Sequence, residues 1–210
     1  MRSTVPVGGG RSPLAFGNST PMKRLIKFLT PVLLTVLLLG CGPSTPVTPQ
    51  GRLNAASEKL AKAKNDQERF YALNDAAKES FVLGKTEDAQ TYASNLLALL
   101  PTFPKDWNYG NAVQDGNLVL GRIAAQEGRR EDAKRYLLEA GKSPGSPQMN
   151  SFGPNMSLAK DLLEKGERDV VLKYFGLCRK FWQMDRGRLD QWSQEVKDGK
   201  IPDFGANLVY

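Results

Sequence analysis

The chain repeats one local pattern three times, in which an apolar helical stretch is followed by a glycine-containing turn and a second helical stretch. The three turns contain Gly84, Gly128 and Gly166. A glycine just after a helix can adopt the left-handed conformation that ends it, and one helical hairpin cannot bury its apolar stripe alone. The sequence therefore predicts an all-α fold of stacked antiparallel helical hairpins.

Small and large apolar residues recur at matching places in these units. The small residues Ala77, Gly121 and Ala159 would let neighbouring helices approach closely, while larger apolar side chains fill the remaining space. Over about residues 66–182 this arrangement resembles tetratricopeptide repeats. The resemblance implies an α-solenoid, in which the first helix of each hairpin lines a concave groove.

The open end of such a stack needs a cover. Leu189, Trp192 and Val196 are spaced by three and four residues, which predicts a capping helix over residues 188–197. The tail that follows, residues 201–210, is apolar enough to pack back on the domain. The alternative is that the tail is a short motif for another protein.

The N-terminal part has features of another kind. The basic pair Lys23-Arg24 precedes an apolar run over residues 28–39, which is shorter than the about 20 residues that a membrane-spanning helix needs. The run leads into Leu-Leu-Gly-Cys, which ends at Cys41 and resembles the lipobox of bacterial lipoproteins. The resemblance implies cleavage before Cys41, a diacylglycerol on its sulfur and an acylated amino terminus.

We expect the chain to have three parts. Residues 1–40 would be a leader and signal peptide whose true start is Met22, residues 41–51 a lipid-anchored flexible linker, and residues 52–210 the helical domain. Gly42, rather than aspartate, follows the cysteine. By resemblance to enterobacterial lipoprotein sorting, this implies the outer membrane with the domain facing the periplasm; the inner membrane is the alternative.

Composition narrows the range of functions. The chain has 29 basic and 22 acidic residues, but the five charged residues among positions 1–40 are all basic. The remaining 24 basic and 22 acidic residues nearly balance, which argues against a nucleic-acid partner. The chain has no histidine, and Cys178 is the only cysteine after Cys41, so neither histidine-based catalysis nor an internal disulfide is expected.

Enzymatic signatures are also missing from the sequence. It contains no phosphate-binding loop, dinucleotide fingerprint, cysteine cluster or serine elbow, and its acidic residues fall at helix starts and polar faces. We therefore expect no catalytic role, no metal and no cofactor. Cys178 lies on an apolar helical stripe, which favours a buried core residue over a reactive thiol.

Alignment of the units places three cations at equivalent positions. Lys78, Arg122 and Lys160 each follow the small residue of the first helix, so stacking would align them as a column of positive charge on the concave side. Asn74 and Asp115 would share this face. The column resembles the carboxylate-binding arrangement of some tetratricopeptide proteins, which implies an acidic peptide ligand. The alternative is that the three cations only face water.

Two inserts between the units are further candidate binding elements. Residues 101–112 and 141–157 are long for connections between stacked helices. In the first insert, Trp107 and Tyr109 are candidates for partner contact. The alternative is that the insert aromatics anchor their own loops against the helices.

Three functions remain open at this stage. The first is a membrane-anchored adaptor that binds another cell-envelope protein or an acidic peptide segment. The second, suggested by resemblance to repeat-containing lipoproteins, is a subunit of an outer-membrane assembly, secretion or pilus machine. The third is an enzyme acting on cell-wall glycan, for which the sequence singles out no pair of carboxylates.

Overall fold

A computed structural model describes residues 48–209, and every regular element within this range is helical, which confirms the predicted all-α class there. The α-helices are α1 (Pro49–Lys62), α2 (Asp66–Val82), α3 (Thr86–Leu99), α4 (Tyr109–Gln126), α5 (Arg130–Gly141), α6 (Pro147–Phe152), α7 (Ser157–Leu163), α8 (Arg168–Cys178) and α9 (Arg188–Lys197). None of these helices is long and apolar enough to cross a membrane. Cys41 and the predicted signal peptide lie outside the described residues.

The helices pack as successive pairs. Helix α2 packs on α3, α4 on α5, and α7 on α8, so the three glycine turns each join two helices that contact each other. The pairs also contact one another, because α2 touches α4, α4 touches α7, and α5 touches α8. Helix α1 packs on α2, and α9 packs on α8.

The three turns that join these pairs share one hydrogen-bond pattern. Gly84, Gly128 and Gly166 have φ values of +71°, +76° and +82°, in the left-handed region that favours glycine. The amide of the next residue donates to the carbonyl five residues earlier, at 2.8, 2.8 and 3.0 Å respectively (Lys85 to Ser80, Arg129 to Ala124, Glu167 to Leu162). This Schellman-type closure satisfies carbonyls at the helix end, which explains why glycine recurs there.

The C-terminal part contains the largest apolar cluster. Helix α9 occupies the predicted residues 188–197, and its three stripe residues, Leu189, Trp192 and Val196, are buried. The Trp192 ring lies 4.9 Å from that of Phe204 in the tail and 5.7 Å from that of Trp182. The tail therefore packs back on the domain, as its apolar composition predicts.

Hydrogen bonds also attach the tail to the segment after α6. Asn207 Nδ2 donates to the carbonyls of Phe152 and Pro154 at 3.0 and 2.9 Å. The Met156 amide donates in turn to the Asn207 carbonyl at 2.7 Å. The tail thereby fixes the segment that carries Phe152.

The boundary between linker and domain differs from the prediction. Helix α1 begins at Pro49, within the predicted linker 41–51, and ends at Lys62. Thr48 Oγ1 accepts a hydrogen bond from the Gly51 amide at 3.0 Å, and proline is favoured at the first helical position. The Thr-Pro pair is a helix start, whereas composition alone indicated a tether.

The two inserts also contain helix that was not predicted. Helix α6 forms inside residues 141–157, and Ser146 Oγ caps it by accepting the Met149 amide at 3.1 Å. In the first insert, Tyr109 is the first residue of α4 and is not part of the loop. Ser146 caps a helix, and Asn155 Oδ1 accepts the Ser157 amide in a turn, so these residues do not mark an open loop.

Cys178 lies on α8 with no exposed surface, which confirms its predicted burial. Burial raises the pKa of its thiol far above the ordinary value. A thiol that stays protonated in the core is a poor nucleophile, so Cys178 serves packing.

Candidate functional site

A polar pocket of about 390 Å³ opens between α2, α4 and α6. Helix α2 contributes side chains at a spacing of three or four residues, which places them on one face: Tyr71, Asn74, Asp75 and Lys78. Helix α4 contributes a facing set at similar spacing: Asn111, Gln114 and Asp115. The pocket wall is therefore built from polar stripes on two helices that pack on each other.

Four of the seven predicted partner-binding residues line this pocket: Asn74, Lys78, Trp107 and Asp115. The other three lie elsewhere. Tyr109 is at the start of α4, Arg122 borders a separate depression together with Asp161, and Lys160 lies on α7.

Lys78 is held between two carboxylates. Its Nζ lies 3.2 Å from Asp115 Oδ2 and 3.7 Å from Asp75 Oδ1, and its side chain is 17% exposed. Burial acts to lower the pKa of Lys78, but the attraction of Asp115 and Asp75 outweighs burial and raises it above the ordinary value. Lys78 therefore remains charged and bridges α2 to α4.

The other two aligned cations are paired as well. Arg122 Nε donates to Asp161 Oδ2 at 2.8 Å, and its guanidinium lies 4.7 Å from the ring centroid of Phe81. Lys160 Nζ lies 3.2 Å from Glu164, the C-cap residue of the same helix. The predicted column of positive charge is thus a series of ion pairs, because the neighbouring helix, or the next turn, supplies an acid to each cation.

We expect Lys78→Met to lower the free energy of unfolding by about 2 kcal/mol, because it leaves Asp115, whose side chain is 13% exposed, without its cation. The control is Lys160→Met, which breaks a largely exposed pair and should cost between about 0 and 1 kcal/mol. Urea unfolding of both variants, followed by circular dichroism, measures the difference. Equal losses would contradict a bridging role for Lys78.

A hydrogen-bonded network fixes one wall of the pocket. Gln114 Nε2 donates to the Tyr174 hydroxyl at 3.2 Å, and Gln114 Oε1 accepts from the Asn155 amide at 3.2 Å. Tyr174 Oη donates to the Asn155 carbonyl at 3.0 Å, and Asn155 Nδ2 donates to the Val209 carbonyl at 3.4 Å. These bonds join α4, α8 and the tail, and a satisfied buried network of this kind is rigid.

A second network fixes the entrance beside α6. Asn111 Nδ2 donates to Asn108 Oδ1 at 2.9 Å and to Gln148 Oε1 at 3.0 Å. Asn111 Oδ1 accepts from Ser146 Oγ at 2.7 Å. The amide of Asn111 is therefore used to hold α6 against α4.

Asn74 differs from these amides. The residue is only 5% exposed, and its Oδ1 is buried without a hydrogen-bond partner among the described residues. Ser80 and Trp182 also carry such an atom, but neither lines the pocket. An unsatisfied buried polar atom costs about 1–3 kcal/mol, so a ligand that supplied a donor here would gain affinity.

Two large aromatic side chains are exposed on the rim of the pocket, Trp107 at 62% and Phe152 at 76%. In contrast, the Phe103 ring lies 5.2 Å from that of Phe70 and is partly buried against it. The alternative that the insert aromatics anchor their own loops therefore holds for Phe103. Trp107 and Phe152 remain available for contact with a ligand.

Tyr71 links the rim to the polar wall. Its ring lies 5.9 Å from that of Trp107, and its hydroxyl donates to Asp106 Oδ2 at 2.6 Å. This hydrogen bond raises the pKa of Tyr71. Burial acts to raise the pKa of Asp106, but hydrogen bonds from Tyr71, the Asn108 amide and Gln67 hold it below the ordinary value. Asp106 is therefore an anion next to the aromatic rim.

The sequence did not predict most of the polar residues in the pocket wall, including Tyr71, Asp75, Asn111, Gln114 and Asn155. A signal was present, because polar residues recur every three to four positions along α2 and α4. Such stripes are ordinarily solvent-facing. Only the packing of α2 on α4 shows that these two stripes face each other.

Comparison of the chain with protein-family models, with curated proteins and with solved structures gives no match. Chemical inference at this site therefore rests on its geometry. The fixed networks supply shape, while Asn74, the two aspartates and the exposed rings supply groups for a ligand. Concave sites of this size with a few fixed polar groups are typical binding sites.

Proposed function

We propose that this chain is a membrane-anchored adaptor, whose hairpins form a tetratricopeptide-like α-solenoid, and that it holds a short segment of another cell-envelope protein in the pocket between α2 and α4. The observation that carries this proposal is a rigid polar pocket with an unpartnered buried amide oxygen and exposed aromatic rings on its rim. The unpartnered oxygen and the exposed rings add nothing to the stability of the free chain. Both of these features favour an incoming ligand.

The order in which the helices touch one another supports the solenoid part of the proposal. The first helices of the three hairpins, α2, α4 and α7, touch in sequence, and the three connecting turns share one geometry. Stacked hairpins of this kind place their first helices side by side, and the pocket opens between two of them.

A peptide segment fits the combination of a polar wall and an aromatic rim. Its backbone and side chains can supply donors to Asn74, and its apolar groups can cover Trp107 and Phe152, which are exposed in the described chain. Large aromatic side chains beside a pocket are the residues that most often dominate binding energy at protein interfaces.

The membrane part of the proposal rests on the lipobox resemblance that ends at Cys41. A lipid on Cys41, followed by the few residues that precede α1, would keep the pocket close to the membrane surface. The partner would then be a protein of the same membrane or of the periplasm.

Site-specific photocrosslinking in the native cell tests the adaptor. A photoreactive residue at position 107 should give a discrete adduct with one envelope protein after affinity capture of the lipidated chain. The same residue at Gln90, which is exposed on α3 outside this pocket, should give none. Adducts of equal yield at both positions, or at neither, would contradict the proposal.

The identity of the crosslinked protein separates the alternatives. A component of an outer-membrane assembly, secretion or pilus complex, together with loss of that complex in a deletion strain, would make the chain a subunit of the machine. A product released from peptidoglycan by the purified chain, without a stable protein partner, would replace the adaptor by an enzyme.

A further inference from the structure

The geometry points to a positively charged side chain, a lysine or arginine of the bound segment, as the group that enters this pocket. The inference rests on the proposed function, because it names the chemistry of the ligand that the adaptor would hold. Charge, hydrogen-bonding capacity and ring exposure at the pocket each favour a cation.

The ionisable groups that line the pocket leave a negative balance. Among the described residues, the charged side chains there are one lysine and two aspartates, and Lys78 is already engaged by both aspartates. Asp75 is 55% exposed and lies 3.7 Å from Lys78, so its oxygens can accept further hydrogen bonds. An acidic ligand would meet no unpaired cation among the described lining residues, whereas a basic one would compensate the surplus carboxylate.

The unpartnered atom in the wall is an acceptor. Asn74 Oδ1 requires an N–H or O–H donor, and it sits one residue before Asp75 on the same helix. Ammonium and guanidinium groups carry only donors, three and five respectively. A cation in the pocket therefore brings the kind of group that Asn74 Oδ1 lacks.

The rim suits the rest of a long basic side chain. Trp107 exposes its ring next to that of Tyr71, and a cation over the face of such a ring is attracted by its electrons. The Tyr71 hydroxyl donates to Asp106, which keeps a negative charge beside these rings. The aliphatic stem of lysine or arginine can at the same time cover Phe152.

Titration with capped pentapeptides tests this inference. Each peptide has the form Gly-Ser-X-Ser-Gly, with X as Lys, Arg, Gln or Glu, and cadaverine serves as a small-amine probe. The full lipidated chain is held in detergent micelles with ¹⁵N-labelled tryptophan. Its three indole signals are assigned with Trp107→Phe, and Trp182 and Trp192 are buried internal references.

The Lys and Arg peptides should shift the Trp107 signal at concentrations about tenfold below those needed for the Gln peptide, and added salt should weaken their binding. Asp75→Asn should weaken the binding of the Lys peptide by about fivefold. Asp88→Asn, which removes the same charge from an exposed site on α3, should leave its binding unchanged.

Three results would overturn the inference. The first two are equal binding of the Lys and Gln peptides, and binding of the Glu peptide that is tighter than that of the Lys peptide. The third is cadaverine binding as tight as that of the Lys peptide, since the amine alone would then account for binding without a protein segment. A partner crosslinked at position 107 together with no preference for basic peptides would sink this inference and leave the adaptor standing. Basic-peptide binding without any crosslinked partner would sink the adaptor alone.

Discussion

Gly110→Ala is expected to lower the free energy of unfolding by about 3 kcal/mol, at the upper end of the usual cost of overpacking. A Cβ atom at position 110 would overlap the carbonyl oxygen of Gly145. That oxygen belongs to the backbone, so it cannot rotate away as a side chain would. Ser143 Oγ, which donates to the Gly110 carbonyl at 2.7 Å, holds the two segments at this distance.

The matched control is Gly176→Ala. Gly176 is exposed within α8, and a Cβ there would meet nothing within 4 Å. Alanine should therefore stabilise this helix by about 0.5–1 kcal/mol. Urea unfolding, followed by circular dichroism, measures both variants. A Gly110→Ala protein as stable as the parent would mean that α4 does not approach Gly145 as described.

Trp182→Ala is expected to cost about 4 kcal/mol, because truncation of a buried tryptophan removes apolar contact and leaves a cavity. Trp182 is 1% exposed and lies among Trp192, the Gly153 backbone and the Arg188 guanidinium, which is 5.1 Å from its ring centroid. Its loss would loosen α9 and the segment that carries Phe152. Thermal and urea unfolding both report the change.

Trp107→Ala makes the same chemical change as Trp182→Ala but should leave the stability of the fold nearly unchanged. Its side chain is largely exposed, so the free energy of unfolding should change by less than about 0.5 kcal/mol. Binding of the partner segment should nevertheless be lost. If Trp107→Ala destabilised the fold as much as Trp182→Ala, the aromatic rim would be part of the core and not a ligand surface.

Local patterns explain what the sequence could predict of the fold. The turns at Gly84, Gly128 and Gly166 depend on a single residue type, and α9 depends on three apolar residues at helical spacing. The start of α1 and the existence of α6 were not predicted. Each is set by a hydroxyl cap, from Thr48 and Ser146, in stretches whose proline and glycine content indicates a loop.

The site was predictable only in part, because it depends on how helices meet. Alignment of the repeats brought Lys78 and Asp115 to one face, and the structure places them 3.2 Å apart. Alignment did not show that Asp115 would pair with Lys78 and so compensate its charge. Exposure of the insert aromatics was not predictable either, since Phe103 is covered by Phe70 while Trp107 has no comparable cover.

We propose that this chain meets its partner at the pocket between α2 and α4. Side-chain NMR of uniformly ¹⁵N-labelled protein, titrated with the segment captured through position 107, tests this proposal most directly. We expect shifts at the Trp107 indole and at the side-chain amides of Asn74 and Gln148, with the indoles of Trp182 and Trp192 unchanged. Shifts confined to α3 or α5, with the Trp107 signal unmoved, would contradict the claim.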